Sequence, residues 1–340
     1  MNYTKLEDTA CALVDVGKGI LAADESFPTI QKRFTAINIE STEENRRAYR
    51  EMLFTTQGIE KFISGVILFD ETIRQRTGDG TLFTDTLSRK GIIPGIKVDT
   101  GTVSMPGHPD EKITSGLDGL RDRLNKYRDQ GARFAKWRAV IMIGPNMPSH
   151  ACIQANANQL ALYAALTQES EMVPIVEPEV LMDGGHDIAT CEETTNATLA
   201  TVFSALRDYG VSLEGMLLKP NMVVAGKQSP KQASVAEAAE TTVRTLQRTV
   251  PAAVRGIVFL SGGQSPELAT EHLNAMNVRG PHPWELSFSF GRALQDTALK
   301  TWKGSAANVA TAQKEFLHRA LCCDAARYGT YSEKVEKMAA

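Results

Sequence analysis

Eight short apolar segments recur along this chain, and longer segments with helical periodicity separate most of them. They read GILAA 19–23, GVILF 65–69, PGIKV 94–98, ARFAKW 132–137, MVPIV 172–176, GMLL 215–218, GIVFL 256–260 and WELSF 284–288. Short, almost continuously apolar strands that alternate with helices are typical of parallel strands buried on both faces. Eight such units favour an α/β fold with a closed (β/α)8 TIM barrel over an open doubly wound sheet.

The segments between the strands carry signals for helix starts. Ser41 with Glu44, and Ser234 with Glu237, have the spacing of capping boxes, in which a hydroxyl and a carboxylate satisfy the first free N–H groups of a helix. The first 18 or so residues and the segment after Lys300 are predicted to be helical additions outside the barrel.

No linker divides the sequence into two parts. We therefore predict a single domain over residues 1–340, with the barrel proper at about 19–303 and a C-terminal helix and tail at about 304–340. The length suits a barrel with additional terminal helices.

The composition excludes several classes of protein. The net charge is −3 and the pI is near 6.1, without a basic stripe, so we expect neither nucleic acid nor a membrane surface as a partner. No apolar run approaches the length of a membrane span, and the N-terminal segment lacks the apolar region of a signal peptide. The five cysteines are odd in number and form no C-x-x-C motif, which favours a reduced, cytoplasmic protein.

Every predicted strand carries polar or charged residues at or just after its C-terminal end. They are, in order, Asp24; Asp70 and Glu71; Lys97; Lys136 and Arg138; Glu177 and Glu179; Lys219; Ser261; and Arg292. Barrel enzymes place their chemistry at the C-terminal ends of the strands. Residues two apart in a strand face the same side, so if Lys136 points into the barrel mouth, Arg138 does too, while Ala135 and Trp137 pack outward.

The segment EGMLLKPNM, residues 214–222, ends an apolar strand with Lys219. One interpretation is a solvated lysine where a strand reaches the surface. The other is chemical: burial and neighbouring cations favour the neutral amine of a lysine, which can form a Schiff base with a carbonyl. The protonated imine then accepts the electrons of a breaking carbon–carbon bond, while the nearby carboxylates move protons.

The segment LSGGQSPELA, residues 260–269, passes from a strand through two glycines into a helix with Ser265 as its cap and Pro266 at its first position. It can be a plain turn, or a phosphate site built from backbone N–H groups beside a helix start. Arg292 after the next strand favours the phosphate site, because arginine binds phosphate through two parallel hydrogen bonds.

Two other motifs give weaker evidence for a functional site. MDGGHD offers Asp183, His186 and Asp187 as metal ligands, but no second histidine lies at ligand spacing, so a polar loop is the simpler interpretation. AGKQSP at 225–230 lacks the glycines of a P-loop. We expect no metal.

Seven motifs together resemble the class I fructose-bisphosphate aldolases, in order and at fitting spacing. They are GILAADES, GIKVD, FAKWR, VPIVEPE, LLKPNM, FLSGGQS and SFGRALQ, and the resemblance covers roughly residues 5–330. It implies a (β/α)8 barrel without metal or cofactor. It further implies reversible cleavage of fructose 1,6-bisphosphate into dihydroxyacetone phosphate and glyceraldehyde 3-phosphate, and a homo-oligomer, specifically a tetramer.

The resemblance also implies catalytic roles. Lys219 matches the Schiff-base lysine, and Glu177 matches the general acid/base. Lys136 matches a lysine that assists imine formation and stabilises charge. Asp24 matches an aspartate linked to carbon–carbon cleavage and to holding Lys219, and Glu179 matches a supporting acid.

Binding roles follow in the same way. The residues that match the surroundings of one phosphate are Ser261, Gly262, Gly263, Ser289, Gly291 and Arg292. Those that match basic groups near the other end of the sugar bisphosphate are Arg33, Lys97 and Arg138.

The sequence departs from the family pattern in two places. Thr29 stands where animal members carry a serine, and the chain ends YSEKVEKMAA, whereas many eukaryotic members end in a tyrosine on a mobile tail. We therefore predict turnover without a tail tyrosine; the alternative is that Tyr331 folds back into the mouth. Two other functions stay open: a Schiff-base aldolase for another phosphorylated sugar, such as sedoheptulose bisphosphate, and a non-catalytic barrel that serves as a binding scaffold.

Overall fold

Eight parallel strands close into a barrel in the computed structural model of the chain, which describes residues 2–338. The ten strands of the chain are β1 Gly19–Ala22, β2 Ile63–Leu68, β3 Ile93–Lys97, β4 Thr102–Met105, β5 His108–Thr114, β6 Phe134–Ile141, β7 Val173–Val180, β8 Leu217–Leu218, β9 Gly256–Phe259 and β10 Glu285–Phe290. Around the barrel the order is β1-β10-β9-β8-β7-β6-β3-β2. All eight predicted strands and the predicted (β/α)8 fold are confirmed.

Two strands were not predicted. β4 and β5 form an antiparallel hairpin outside the barrel, between β3 and the next helix. The sequence rule missed them because β4 is almost wholly exposed and offers no apolar run. The hairpin turns at Pro106 and Gly107, and Gly107 has a φ of 76°, in the left-handed region that favours glycine.

Twelve α-helices surround and extend the barrel. They are α1 Tyr3–Leu13, α2 Phe27–Thr35, α3 Glu43–Thr55, α4 Phe83–Arg89, α5 Leu120–Asp129, α6 His150–Glu169, α7 Ile188–Asp208, α8 Val235–Thr249, α9 Pro266–Val278, α10 Arg292–Trp302, α11 Val309–Arg327 and α12 Glu333–Glu336, counted within residues 2–338. None of these helices is long and apolar enough to cross a membrane.

The helix caps agree with the sequence in two of three places. Ser234 and Ser265 cap α8 and α9, each accepting a hydrogen bond from the backbone N–H three residues on. The predicted cap of α3 at Ser41 is wrong, because Thr42 accepts that bond from Asn45. The Ser41 carbonyl instead accepts a bond from Arg46, which anchors the chain just before the helix.

The barrel is plugged at the end where its strands begin. Phe134 at the start of β6 fills the interior, and a Cβ on Gly95 of the adjacent β3 would come within 2.3 Å of its ring. Helix α1 covers the same end, where Leu13 and Val14 join this apolar interior. The polar strand residues therefore share a cavity at the opposite, C-terminal end.

Candidate active site

A cavity of about 820 Å³ opens at the C-terminal ends of the barrel strands. Of the fourteen candidate residues, those lining it are Asp24, Arg33, Lys97, Lys136, Arg138, Glu177, Glu179, Lys219, Ser261, Gly262, Ser289, Gly291 and Arg292. The remaining one, Gly263, lies just behind, where a Cβ would come 2.7 Å from Arg292 Nη2. The sequence motifs, separated by up to 268 positions between Asp24 and Arg292, thus meet in one place.

Lys219 follows the two-residue strand β8 and is buried, with 4% of its surface exposed. Its backbone N–H donates to the Val176 carbonyl and so continues the barrel ladder by one residue. Its Nζ lies 3.2 Å from Glu177 Oε1. The interpretation of Lys219 as a solvated surface lysine is therefore wrong.

Glu177 stands between two lysines. Its Oε2 lies 3.1 Å from Lys136 Nζ, while Oε1 faces Lys219. Lys136 Nζ also lies 2.8 Å from Asp24 Oδ2, so four buried or nearly buried side chains form one chain of contacts. Asp24 contacts Lys136, whereas the family resemblance implied a role for Asp24 in holding Lys219.

The charge states of Lys136 and Asp24 follow from these contacts. Burial alone would lower the pKa of Lys136, but the Asp24 and Glu177 carboxylates raise it well above its ordinary value. Burial alone would raise the pKa of Asp24, but Lys136 and Lys219 hold it well below its ordinary value. Lys136 is therefore a cation and Asp24 an anion at neutral pH.

Glu177 and Glu179 lie inside β7, although the sequence placed them after the end of the strand. β6 and β7 pair over eight positions, from Phe134 with Val173 to Ile141 with Val180, so the strands extend further than their apolar segments. Arg138 on β6 donates to Glu179 in the mouth. Trp137 faces outward, as predicted, and stacks on Tyr163 of α6.

Asp99 is a mouth residue that the sequence analysis missed. Its Oδ1 lies 2.6 Å from Lys97 Nζ, and it accepts a hydrogen bond from the Arg138 backbone N–H. The motif GIKVD held the signal, because Asp99 comes two residues after Lys97. Asp99 fixes the position of one of the predicted substrate-binding cations.

Glu25 holds Arg33 in the same manner. Glu25 Oε1 accepts from Arg33 at 2.6 Å, and Oε2 accepts from Arg50, which is 1% exposed, at 2.7 Å. Arg33 borders the β10 side of the mouth, since its Nη2 would lie 3.7 Å from a Cβ on Gly291. It therefore stands beside the Gly291–Arg292 segment, although the sequence grouped it with Lys97 and Arg138.

Two further lining residues, Arg123 and Tyr127, come from helix α5. Tyr127 donates a hydrogen bond to Asp70, which follows β2. No strand-end rule can find a helix residue, so these two carried no signal in the sequence.

The Ser261–Gly263 loop has the form expected of a phosphate site. Gly262 and Gly263 have φ of 59° and 88°, and the loop leads directly into the capped start of α9. The buried Ser289 hydroxyl in the cavity wall has no hydrogen-bond partner, and Arg292 is exposed and makes no ion pair within residues 2–338. An anion in this corner would satisfy both groups.

The loop MDGGHD does not gather metal ligands. Asp183 pairs with Lys227, and Asp187 caps α7 by accepting from Thr190. In the described part of the chain, one group of side chains, His318, Cys322 and Glu336, has ligand atoms within 4.8 Å of one another.

That group lies outside the mouth cavity, and its carboxylate is already engaged. Glu336 accepts two hydrogen bonds from the buried Arg319 and one from the Tyr331 hydroxyl. Tyr331 is therefore bound to α12 and does not line the mouth in this structure.

Comparison with known proteins agrees with this geometry. The family model described as "Fructose-bisphosphate aldolase class-I" matches residues 5–340. A "Probable fructose-bisphosphate aldolase class 1" of Xanthomonas campestris is 58% identical over 94% of this chain and 96% of its own length. The "Fructose-bisphosphate aldolase 6, cytosolic" of Arabidopsis thaliana is also 58% identical, over 93% of this chain and 88% of its own.

A solved structure of fructose-bisphosphate aldolase from Plasmodium falciparum, in a complex with TRAP and a small-molecule inhibitor, has the same fold. It superposes with a TM-score of 0.96 at 51% identity, covering 97% of this chain and 95% of that one. With the motifs, the barrel and the matches over almost the whole length in agreement, the chain belongs to the class I fructose-bisphosphate aldolase family.

Proposed function

We propose that this chain reversibly cleaves fructose 1,6-bisphosphate to dihydroxyacetone phosphate and glyceraldehyde 3-phosphate through an imine on Lys219. The observation that carries the proposal is the buried contact chain Lys219–Glu177–Lys136–Asp24 at the mouth of the barrel. It places an amine, a proton-transferring carboxylate and a fixed cation within a few ångströms of one another, as imine chemistry requires.

Lys219 is the nucleophile. Both lysines touch Glu177, but Lys136 also touches Asp24 and remains an ammonium ion. An ammonium has no lone pair, so of the two lysines that touch Glu177 it is Lys219 that supplies the attacking amine. Its nitrogen adds to the ketone carbon of the substrate and gives a carbinolamine.

Glu177 moves the protons. It lies within hydrogen-bond reach of the Lys219 nitrogen, accepts a proton from that nitrogen, and passes it to the carbinolamine hydroxyl, which leaves as water and yields the protonated imine. The electrons of the carbon–carbon bond then flow to the imine nitrogen and give an enamine. The proton of the hydroxyl on the departing carbon passes to a carboxylate, and the aldehyde product is released.

Lys136 and Asp24 provide the fixed charges of the site. The Lys136 ammonium stabilises oxygen atoms that gain negative charge, and Asp24 holds that ammonium in place. Protonation of the enamine carbon and hydrolysis of the imine by water release dihydroxyacetone phosphate and restore the Lys219 amine. Glu179 supports the site through its bond with Arg138.

The two phosphates bind at opposite sides of the mouth. We assign one to the Ser261–Gly263 loop with Ser289, Gly291 and Arg292, and the other to the β3 and β6 side with Lys97 and Arg138. Arg33 stands beside Gly291 and is assigned to the first phosphate on that ground.

The protein is proposed to be cytoplasmic and homotetrameric. Relatives that are 56% and 58% identical carry "cytosolic" in their names, and the five cysteines are free. The tetramer rests on the family resemblance; light scattering on the purified protein, compared with the chain mass of 37.0 kDa, measures it directly.

A cleavage assay tests the proposed function. Purified protein is supplied with fructose 1,6-bisphosphate or sedoheptulose 1,7-bisphosphate, and triose phosphate formation is followed. We expect cleavage of both, a higher kcat/KM for the fructose bisphosphate, and loss of both activities in Lys219→Met. A higher kcat/KM for the seven-carbon sugar would reassign the substrate, and no cleavage of either would favour the scaffold.

A further inference from the structure

Lys227 lies beside the phosphate loop, although no sequence motif gave it a role. A Cβ on Gly263 would lie 3.1 Å from Lys227 Nζ and 2.7 Å from Arg292 Nη2. The ammonium and the guanidinium therefore lie next to the same residue of the loop, within 3.1 Å of one point. Arg292 comes from the start of α10, whereas Lys227 comes from the segment between β8 and α8.

The backbone around Lys227 is fixed by its neighbours. Lys227 N–H donates to the Met182 carbonyl at 2.8 Å, and the N–H of the adjacent Gly226 donates to His186 at 2.9 Å. Met182 in turn packs on the loop, since its Sδ would lie 3.0 Å from a Cβ on Gly262. The position of Lys227 is thus set by hydrogen bonds on one side and by the phosphate loop on the other.

Among residues 2–338, the Lys227 ammonium has one acidic partner. Its Nζ lies 3.0 Å from Asp183 Oδ1, with 39% of the lysine side chain and 61% of the aspartate side chain exposed. Exposed ion pairs of this kind contribute little to stability, so a dianion that arrives in the loop can draw the ammonium away from Asp183 at small cost.

We infer that Lys227 is a second cation for the substrate phosphate held at the Ser261–Gly263 loop, and that Asp183 competes with this phosphate for Lys227. The inference rests on the proposed function, because it deepens the assignment of that loop. The ligand is a phosphate monoester dianion, which needs several donors around its three terminal oxygens. Arg292 and Lys227 both lie beside Gly263, where they can add to the backbone N–H donors of the loop.

The test measures binding without turnover. The probe is hexitol 1,6-bisphosphate, the substrate with its ketone reduced to an alcohol, which cannot form an imine. Calorimetric titration of Lys227→Met should give a Kd higher than that of the unmodified protein by roughly two- to tenfold, the range of one partly exposed charged contact. Lys227→Arg should restore binding to within about twofold, since it keeps the charge.

Lys231 supplies the matched control. It lies four positions further along the same segment, is exposed, and makes no side-chain hydrogen bond or ion pair among the described residues. Lys231→Met removes the same charge and should leave the Kd within about 1.5-fold of the original value, because an unpaired exposed charge is largely screened.

Asp183→Asn tests the competition. Removing the carboxylate should tighten probe binding by roughly twofold when Lys227 is present, and should have no effect when it is combined with Lys227→Met. Equal Kd values for Lys227→Met and Lys231→Met would overturn the inference, as would an Asp183→Asn effect that persists without Lys227.

Kinetics separate this inference from the proposed function. Lys227→Met should raise KM for the bisphosphate with kcat within about twofold, because the contact holds the phosphate in the ground state and the transition state alike. If the unmodified protein binds the probe through Lys227 but cleaves no sugar, the proposed function fails and the inference stands. If it cleaves normally and Lys227→Met leaves both Kd and KM unchanged, the inference fails alone.

Discussion

At the scale of single residues, two lysines that touch one carboxylate have different surroundings. Lys136 contacts both Asp24 and Glu177, while Lys219 contacts Glu177. The sequence showed both lysines at strand ends, and family resemblance distinguished their roles. The difference in contacts now gives a physical reason, since the lysine with two anionic partners is the one held as a cation.

Arg292 gives the first prediction at this scale. Arg292→Ala should raise KM for fructose 1,6-bisphosphate by roughly 10–100-fold, the scale of one charged hydrogen-bonding partner at about 1.5–3 kcal/mol. Fructose 1-phosphate should suffer likewise if the loop holds the phosphate nearest the ketone. Steady-state kinetics with both sugars measure this, and an unchanged KM for both would place Arg292 outside the site.

The sequence identified most of the mouth but not the residues that hold it in shape. Strand ends reveal charged groups because a buried parallel strand is otherwise apolar, so Lys136 and Lys219 stand out. The role of Glu25 in holding Arg33 was not predicted, because its partners Arg33 and Arg50 come from helices that meet only in the folded chain. Arg123 escaped because it reaches the cavity from α5.

At the scale of elements, the apolar pattern predicted the existence of the barrel strands better than their ends. β7 runs through Glu177 and Glu179 because backbone pairing with β6 continues there, while the side chains turn polar. A rule that ends each predicted strand at its first charged residue cannot predict this extension of β7. The β4–β5 hairpin was missed for the opposite reason, since exposed strands carry no apolar run.

The corrected cap of α3 can be tested with a matched pair. Thr42→Ala removes the hydroxyl that accepts from Asn45 and should lower the free energy of unfolding by about 1 kcal/mol. Ser41→Ala should lower the free energy of unfolding by less than about 0.5 kcal/mol. The Arg46 side chain makes its shorter hydrogen bond to the backbone carbonyl of Ser41, which the substitution keeps. Chemical denaturation measures both. A larger cost for Ser41→Ala would restore the original assignment.

The C-terminal segment is the other element with a testable role. Tyr331 donates to Glu336, and burial and then this carboxylate raise its pKa above the ordinary value, so its phenol is poorly placed for acid–base work. We predict that Tyr331→Phe changes kcat by less than about threefold, under 1 kcal/mol of barrier. A hundredfold drop in kcat, while borohydride still traps dihydroxyacetone phosphate on Lys219, would mean that the tail takes part in catalysis.

Deleting residues 332–340 separates stability from turnover in the same segment. The deletion removes Glu336 and leaves the buried Arg319 without its carboxylate, so the melting temperature should fall. Turnover per folded molecule should change by less than about threefold.

At the scale of the whole molecule, the barrel directs the chemistry to one end. Phe134 and α1 fill the end where the strands begin, so the charged residues converge at the other end. The single domain over residues 1–340 stays a prediction from the sequence. Because the proposed mechanism uses an imine of Lys219 as the electron sink, prolonged EDTA dialysis should leave activity essentially intact. Activity that is lost and then restored by zinc would contradict the mechanism.

Borohydride trapping tests the central claim most directly, because borohydride reduces an imine to a stable amine. The protein is incubated with dihydroxyacetone phosphate, reduced, digested and analysed by mass spectrometry, with a sample reduced without the ligand as the control. The account predicts one adduct, on Lys219, and neither adduct nor cleavage in Lys219→Met. An adduct on another lysine, or none on the active protein, would contradict it.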